Sequence, residues 1–468
     1  METVIQGSTL ETLRAGLRGT ALAPGEEGYE EASQAWNLNA HQRPALVVIA
    51  GGASDVMTAV RFAREGGMGV GVLATGHGVG AACNGGVLIN TSRMRGVRVD
   101  PVAKTARVEA GALWEDVIPE AQAHGLAGLV GSTSHVGVVG YTMGGGFGWL
   151  GRKYGFNAAG VREADVVTAD GRLLRVSADE HEDLFWGLKG GGGNFGIVTS
   201  LVFDLHPLTS VYGGNVFYPV EKAGEVLARY AEWSTELSDE TTTGIAFLNI
   251  PPLPFVPEPL RGKSVITVRG CYSGESPEAG EEIFRPVREG FGEPIMDTFG
   301  VMPIAAMDAI SMDPVDPMAA IQYSELLRDL TPEAIEALVD VAGAGSGSPL
   351  IMLELRQLGG VLWGEQEDLN LMGSGEARFI MNGIGATFTP EMAEGVKAHL
   401  VRVAETTRPY QTGDTYVNFM ELDYASAERV RAAYPPEDYE RLVALKDRYD
   451  PENVFRFNRN IAPSKVAQ

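Results

Sequence analysis

Asp183-Leu184-Phe185-Trp186-Gly187-Leu188-Lys189-Gly190-Gly191-Gly192-Gly193-Asn194-Phe195-Gly196-Ile197-Val198-Thr199 is the stretch from which the fold is read. Four consecutive glycines stand directly before a β-branched run, so a backbone free to take positive φ leads into a strand. Such a turn lets the main chain approach a nucleotide closely, and it is equally compatible with a flexible loop. The chain has no P-loop. No Gly-x-Gly-x-x-Gly opens a helix with an acidic residue about 20 positions on, which disfavours a Rossmann site.

Working outward, a second glycine cluster, Gly144-Gly145-Gly146-Phe147-Gly148, precedes this stretch, and Thr75-Gly76-His77-Gly78 ends an apolar run upstream of both. A histidine between glycines on a strand-end turn leaves backbone N–H groups free to face a pyrophosphate and an imidazole unobstructed toward a cofactor. The alternative is a turn beside a hydrogen-bonded core histidine. Residues 45–50 are apolar, Ser54-Asp55 is an N-cap signal, 56–65 has helical spacing and 68–74 is apolar again, which reads as a βαβ unit. Strands are expected at 87–90, 97–99, 106–109 and 163–168, a helix at 113–124, and a hairpin through residues 169–172 into 173–176. Past Leu205-His206-Pro207 the glycine-rich character fades. Residues 211–422 alternate strand-like segments with helices at 221–236, 332–341 and 390–407, and 250–259 reads as a proline-rich loop. A helix at 437–448 closes on Tyr449-Asp450-Pro451, followed by an extended tail. The pattern is α+β, in two domains.

The 468 residues, 44% hydrophobic and 21% charged, have the composition of a globular protein with more than one core. A net charge of −24 argues against nucleic acid and anionic membranes as partners. Cys83 and Cys271 are the only cysteines, which excludes a disulfide framework and a thiolate zinc cluster. Met1-Glu2-Thr3-Val4 carries neither a basic region nor a signal-length apolar core, and no apolar run reaches 18 residues, so a cytoplasmic protein, monomer or homodimer, is expected.

The order of these pieces resembles a known family. The 183–199 stretch, Met143-Gly144-Gly145-Gly146-Phe147-Gly148-Trp149-Leu150-Gly151-Arg152-Lys153-Tyr154-Gly155 and Tyr449-Asp450-Pro451-Glu452-Asn453-Val454-Phe455-Arg456 are similar to the berberine-bridge-enzyme-like flavoprotein oxidases. The resemblance covers the first 200 residues and the last 50 well and the middle loosely. It implies a vanillyl-alcohol-oxidase type fold: a PCMH-type FAD-binding domain from both chain ends, 1–206 and 425–468, and a substrate domain with an antiparallel sheet, 207–424. Carried over residue by residue, it implies FAD contacts at Thr75, Gly76, His77, Gly78, Val79, Thr133, Gly137, Gly140, Thr142, Gly145, Gly146, Gly193, Gly196, Val198, Asn458 and Asn460.

In that family the histidine of the Gly-His motif bonds the flavin 8α-methyl, a position held here by His77, and many members add a cysteine bonded to flavin C6. Gly131-Ser132-Thr133-Ser134-His135-Val136-Gly137 places Thr133 there, which implies a single covalent link, as in the bacterial branch similar to 6-hydroxy-D-nicotine oxidase. The catalytic tyrosine that closes Tyr-x-Asn-Tyr is Phe419 in Tyr416-Val417-Asn418-Phe419, and phenyl cannot take a proton. Glu354 is then the first candidate base, sharing a strand face with Arg356; the alternative is a weak ion pair on a solvated sheet face. Tyr416, expected on a strand, and His135, near the missing cysteine, are further catalytic candidates. The family's usual Asp-Asn after Lys-Tyr-Gly is Ala159-Gly160 here.

The implied activity is removal of a hydride from a C–H beside oxygen or nitrogen of a small organic substrate or natural product, with molecular oxygen as electron acceptor. Alternatives are a flavin-dependent tailoring enzyme that closes or rearranges rings, and a non-catalytic flavin-binding protein.

Overall fold

The structure, a computed structural model, describes residues 7–363 and 375–466. Met1–Val4, on which the expectation of no leader rests, lies outside the described residues, as does 364–374 of the second region. The fold is α+β and is built around three main sheets.

The first sheet has the order Thr20–Leu22, Leu46–Ile49, Val87–Asn90, Val70–Leu73. Leu46–Ile49 and Val70–Leu73 flank Val87–Asn90 and both run parallel to it. The expected βαβ crossover therefore spans one intervening strand. Its helix, Ala53–Glu65, buries Val56, Ala59, Val60 and Ala63 at helical spacing against this sheet. The loop that leaves Leu73 carries Thr75-Gly76-His77-Gly78.

The second sheet is antiparallel, with the order Val97–Asp100, Thr105–Glu109, Ile197–Asp204, Val161–Val167, Leu173–Ser177, and it includes the hairpin expected at 169–172. Its central strand, Ile197–Asp204, is the one that the glycine run leads into. The run itself is a helix end: Glu182–Gly191 leaves helical geometry at Lys189, then Gly190 takes φ 119 and the chain turns.

The third sheet has eight strands, all antiparallel, from Ser210–Pro219 to Phe379–Ala386. Helices Ala223–Trp233, Gly280–Gly290, Pro332–Ala342 and Pro390–Thr407 cover one face, where Tyr230, Leu338 and Leu400 join Leu353 and Leu355 in a single core. Because side chains alternate along a strand, Met352, Glu354 and Arg356 turn to the opposite face. That face looks at the first two sheets across a cavity.

The C-terminal helix Pro436–Tyr449 packs on Glu182–Gly191 and brings the tail back beside the glycine loop. Lys446, fully buried, pairs with Asp450 at 2.7 Å and donates to the carbonyls of Asn194 (2.8 Å) and Phe455 (2.9 Å). Asp450 in turn accepts from the N–H groups of Val454 and Phe455. The Tyr-Asp-Pro-Glu-Asn-Val-Phe motif thus ties the tail to the glycine loop. Among the described residues no helix is long and apolar enough to cross a membrane, and no cluster of three metal-ligating side chains occurs.

Candidate active site

A cavity of about 1420 Å³ runs between the glycine-rich loops and the open face of the eight-stranded sheet. That exceeds the roughly 300–1,000 Å³ of a single small-molecule pocket and leaves room for a cofactor and a substrate together. At one end it is walled by the 74–81 turn, residues 131–133, 136–137, 139–141 and 143–144, the glycine loop at 191–194 and the tail at Asn458 and Arg459. At the other end the walls are the proline-rich loop, the strand bearing Glu354 and Arg356, and a strap at 311–318.

His77 sits where the turn meets the cavity. Gly76 takes φ 76, and a Cβ there would stand 2.5 Å from that of Ala35, so only glycine lets the turn close against the 35–37 segment. Trp36 and Asn37 donate their N–H groups to the carbonyls of Thr75 and Gly76, and the Trp36 ring stacks on the imidazole at 4.6 Å. Nδ1 of His77 lies 2.9 Å from the Thr75 hydroxyl, while Nε2 is buried without a hydrogen-bond partner. Burial, with a smaller contribution from the positive potential of His135, lowers its pKa to about 4, so the ring is neutral near pH 7.

Other buried polar atoms without partners gather at the same end: Asn458 Oδ1 and Arg459 Nη2. Asn458 Nδ2 donates to the Gly193 carbonyl, and Arg459 Nε to that of Met420. Orphaned buried donors and acceptors beside glycine loops are what a dinucleotide would satisfy. The residues present fit FAD: the 76–80 turn, Gly193 and Arg459 would face its phosphates, and His77 and Thr133 its ring system. Thr75, Gly76, His77, Gly78, Val79, Thr133, Gly137, Gly140, Gly193, Gly196, Val198 and Asn458 all line the cavity.

Comparison with known proteins agrees. Residues 44–177 match the FAD binding domain family and residues 415–462 the berberine and berberine-like family. The chain is an FAD-dependent oxidoreductase. It is 28% identical over 467 residues to (R)-6-hydroxynicotine oxidase of Paenarthrobacter nicotinovorans, covering 96% of this chain and 97% of that protein. It is 27% identical over 456 residues to an FAD-linked oxidoreductase of Dictyostelium discoideum, covering 96% and 95%. In fold it matches the wild-type BBE-like 1 protein of Physcomitrella patens with a TM-score of 0.82 at 20% identity, over 96% of this chain and 98% of that one.

Several residues named from this flavoprotein's sequence stand elsewhere. Thr142 does not line the cavity: its hydroxyl donates to the Val138 carbonyl within its own helix and accepts from Asn157. Gly145 and Gly146 form the turn beyond that helix with φ 111 and 78, and a Cβ on Gly146 would meet Tyr141 at 2.6 Å. Asn460 is outside the lining, one residue past Arg459, which reaches it. His135 faces away, its Nδ1 3.2 Å from Glu115 at the surface, where a carboxylate and water solvate it better than the cavity wall would. Tyr416 is buried behind the wall between Phe156 and Phe419, its hydroxyl accepting from Asn418 at 3.3 Å. It precedes the short 3₁₀ turn Val417–Phe419 and is not on a strand, so alternation does not set its direction. Asn418 itself donates to the Tyr141 carbonyl and rests on Gly144, where any Cβ would lie 2.0 Å from its Oδ1.

Glu354 lines the cavity, 1% exposed, but not as a free base. Oε1 lies 3.1 Å from Arg269 Nε and Oε2 2.8 Å from Arg356 Nη2. Burial pushes its pKa up, yet the two guanidiniums outweigh that and hold the carboxyl below its ordinary value. A carboxylate so clamped is a poor proton acceptor. The guanidinium of Arg356 also lies over the rings of Trp149 and Phe147, which fixes the pair further.

Three lining residues carry no sequence signal of their own. Glu421, buried, accepts from Asn37 Nδ2 at 2.9 Å, and burial pushes its pKa to about 7 against that bond and Arg459. Arg459 stands between two asparagines that the resemblance singles out. Asp313 lies on the strap, between Met312 and Pro314.

Proposed function

We propose that this flavoprotein is an oxidase that carries FAD on His77, removes hydride from a C–H beside O or N of a small organic molecule, and passes the electrons to molecular oxygen. When bound, FAD supplies the hydride acceptor. The observation that carries the reading is His77: a neutral imidazole with a partnerless, buried nitrogen turned to the cavity, held in place by Trp36 and Thr75. A neutral ring nitrogen that no protein group engages suits bond formation to an electrophilic carbon. Thr133 at the cavity wall offers no thiolate, which supports one covalent link. The face of the large sheet stands over the site, so that a hydride donor has a wall to bind against opposite the glycine loops.

Acid-denatured protein is expected to keep its flavin, with the added mass on the tryptic peptide that contains His77. His77→Ala should release the flavin on acid precipitation. Covalent flavin retained by His77→Ala would overturn the assignment, and absence of peroxide during turnover would overturn oxygen as acceptor.

A further inference from the structure

The strap Ser311-Met312-Asp313-Pro314-Val315-Asp316-Pro317-Met318 crosses the mouth of the cavity, and it is fastened at both ends. Ser311 receives Arg269 Nη1 on its carbonyl and Trp149 Nε1 on its hydroxyl. Trp36 Nε1 donates to the Val315 carbonyl, and Trp36 and Leu38 exchange backbone hydrogen bonds with Met318. Met312 takes φ 55, a conformation a methionine adopts only when its surroundings impose it, and Pro314 and Pro317 stiffen the rest of the strap. The tryptophan that stacks on His77 therefore also fixes the strap.

Large apolar side chains crowd the same mouth. Leu253, Phe255 (81% exposed), Met312, Val315 and Phe388 (67% exposed) all line it. An apolar rim of this kind on a globular protein marks a binding surface. The charges inside do not balance. Among the described lining residues the guanidiniums are Arg356, bound to Glu354, and Arg459, which faces Glu421. Arg269 and Arg356, the cations near Asp313, are both turned on Glu354, and the Ser132 hydroxyl is the hydrogen-bonding neighbour of Asp313. Asp316 adds a second carboxylate farther out on the strap.

We propose that Asp313 receives the basic nitrogen of the substrate, and that this flavoprotein acts on hydrophobic amines that enter as cations. The inference rests on the oxidase reading above and names its substrate class. In the step, an N–H bond of the ammonium breaks and its proton passes to the Asp313 carboxylate. With FAD bound, the cofactor would supply the acceptor for the hydride of the adjacent C–H, and the neutral amine would leave as an iminium ion, two electrons and one hydrogen going with the hydride and one proton staying on Asp313. Burial raises the pKa of Asp313 above the ordinary aspartate value, against the opposing pull of Ser132, Arg269 and Arg356 and with Glu354 adding to the rise. A carboxylate so placed is the better proton acceptor of the two.

The test is anaerobic calorimetry on the FAD-loaded protein with benzylamine, benzyl alcohol and benzoate as probes. Benzylamine should bind more tightly than the other two, and Asp313→Asn should weaken it by about 10- to 100-fold, the loss of one charge-assisted hydrogen bond, with benzyl alcohol unchanged. Asp313→Glu should restore part of the preference. In the wild type, benzylamine affinity should rise with pH as Asp313 ionises, and this series decides if Asp313→Asn does not fold. Equal binding of benzylamine to wild type and Asp313→Asn, a preference for benzoate, or no benzylamine binding would each overturn the proposal. Failure to bind FAD at all would instead count against the oxidase reading, because FAD content is measured separately.

Discussion

Lys446 and Asn194, 252 residues apart in sequence, meet at 2.8 Å: the ammonium donates to the asparagine carbonyl while paired with Asp450. Asn194 also accepts from the Ile461 N–H and donates to the Arg459 carbonyl, so one residue of the glycine loop holds the tail at three points. Arg459 reaches the cavity because of it.

Lys446→Met should therefore act at a distance. It leaves Asp450 fully buried without its counter-charge, held only by the N–H groups of Val454 and Phe455, which costs about 3–5 kcal/mol. We expect a lower denaturant midpoint at unchanged slope and weaker FAD retention, read from the ratio of flavin to protein absorbance. A midpoint equal to wild type would show that the tail is held by its apolar contacts alone.

The clamp on Glu354 predicts a stability effect larger than any catalytic one. Glu354→Leu strands Arg269 and Arg356, both nearly fully buried, and should cost about 3–5 kcal/mol, whereas Glu354→Gln keeps part of the hydrogen bonding and should cost less. Urea unfolding of the two variants distinguishes them. If Glu354→Gln folds as wild type but reduces its flavin about 10²–10⁴-fold more slowly, Glu354 is the base after all.

Glu421 gives a pH signature. Its folded pKa of about 7 lies above the unfolded value of 4.5, so the neutral carboxyl favours the fold. That stability is fully present below pH 4.5 and is lost as pH rises toward and through 7. Glu421→Gln, neutral at every pH, should remove this slope and raise the melting temperature above pH 7. Thermal melts across that range check it, and a variant that keeps the wild-type slope would place the titrating group elsewhere.

Thr133 lines the cavity at 6% exposure, so Thr133→Cys puts a thiol against the cofactor site. We expect a flavin spectrum shifted toward that of a 6-S-cysteinyl flavin and no titratable thiol beyond those of the wild type. An unchanged spectrum with a free thiol would mean that residue 133 stands beyond reach of the ring.

What the sequence determined by itself was local. The glycine run, the Gly-His turn and the Tyr-Asp-Pro tail each constrain backbone over a few residues, and the alternation in Met352–Gln357 is enough to put Glu354 and Arg356 on one face. The resemblance that implies FAD and the fold rests on such patterns. The tertiary structure decided which polar groups are free. His135 lost its place to Glu115, Glu354 lost its basicity to Arg269, a residue 85 positions away in sequence, and Tyr416 was sealed behind Phe419. Whether a carboxylate is a base or half of an ion pair depends on burial and on charges brought near by distant segments, and neither can be read from spacing along the chain. Asp313 shows the converse: an unremarkable loop residue becomes chemically distinct because the strap that carries it is pinned across the mouth of the cavity.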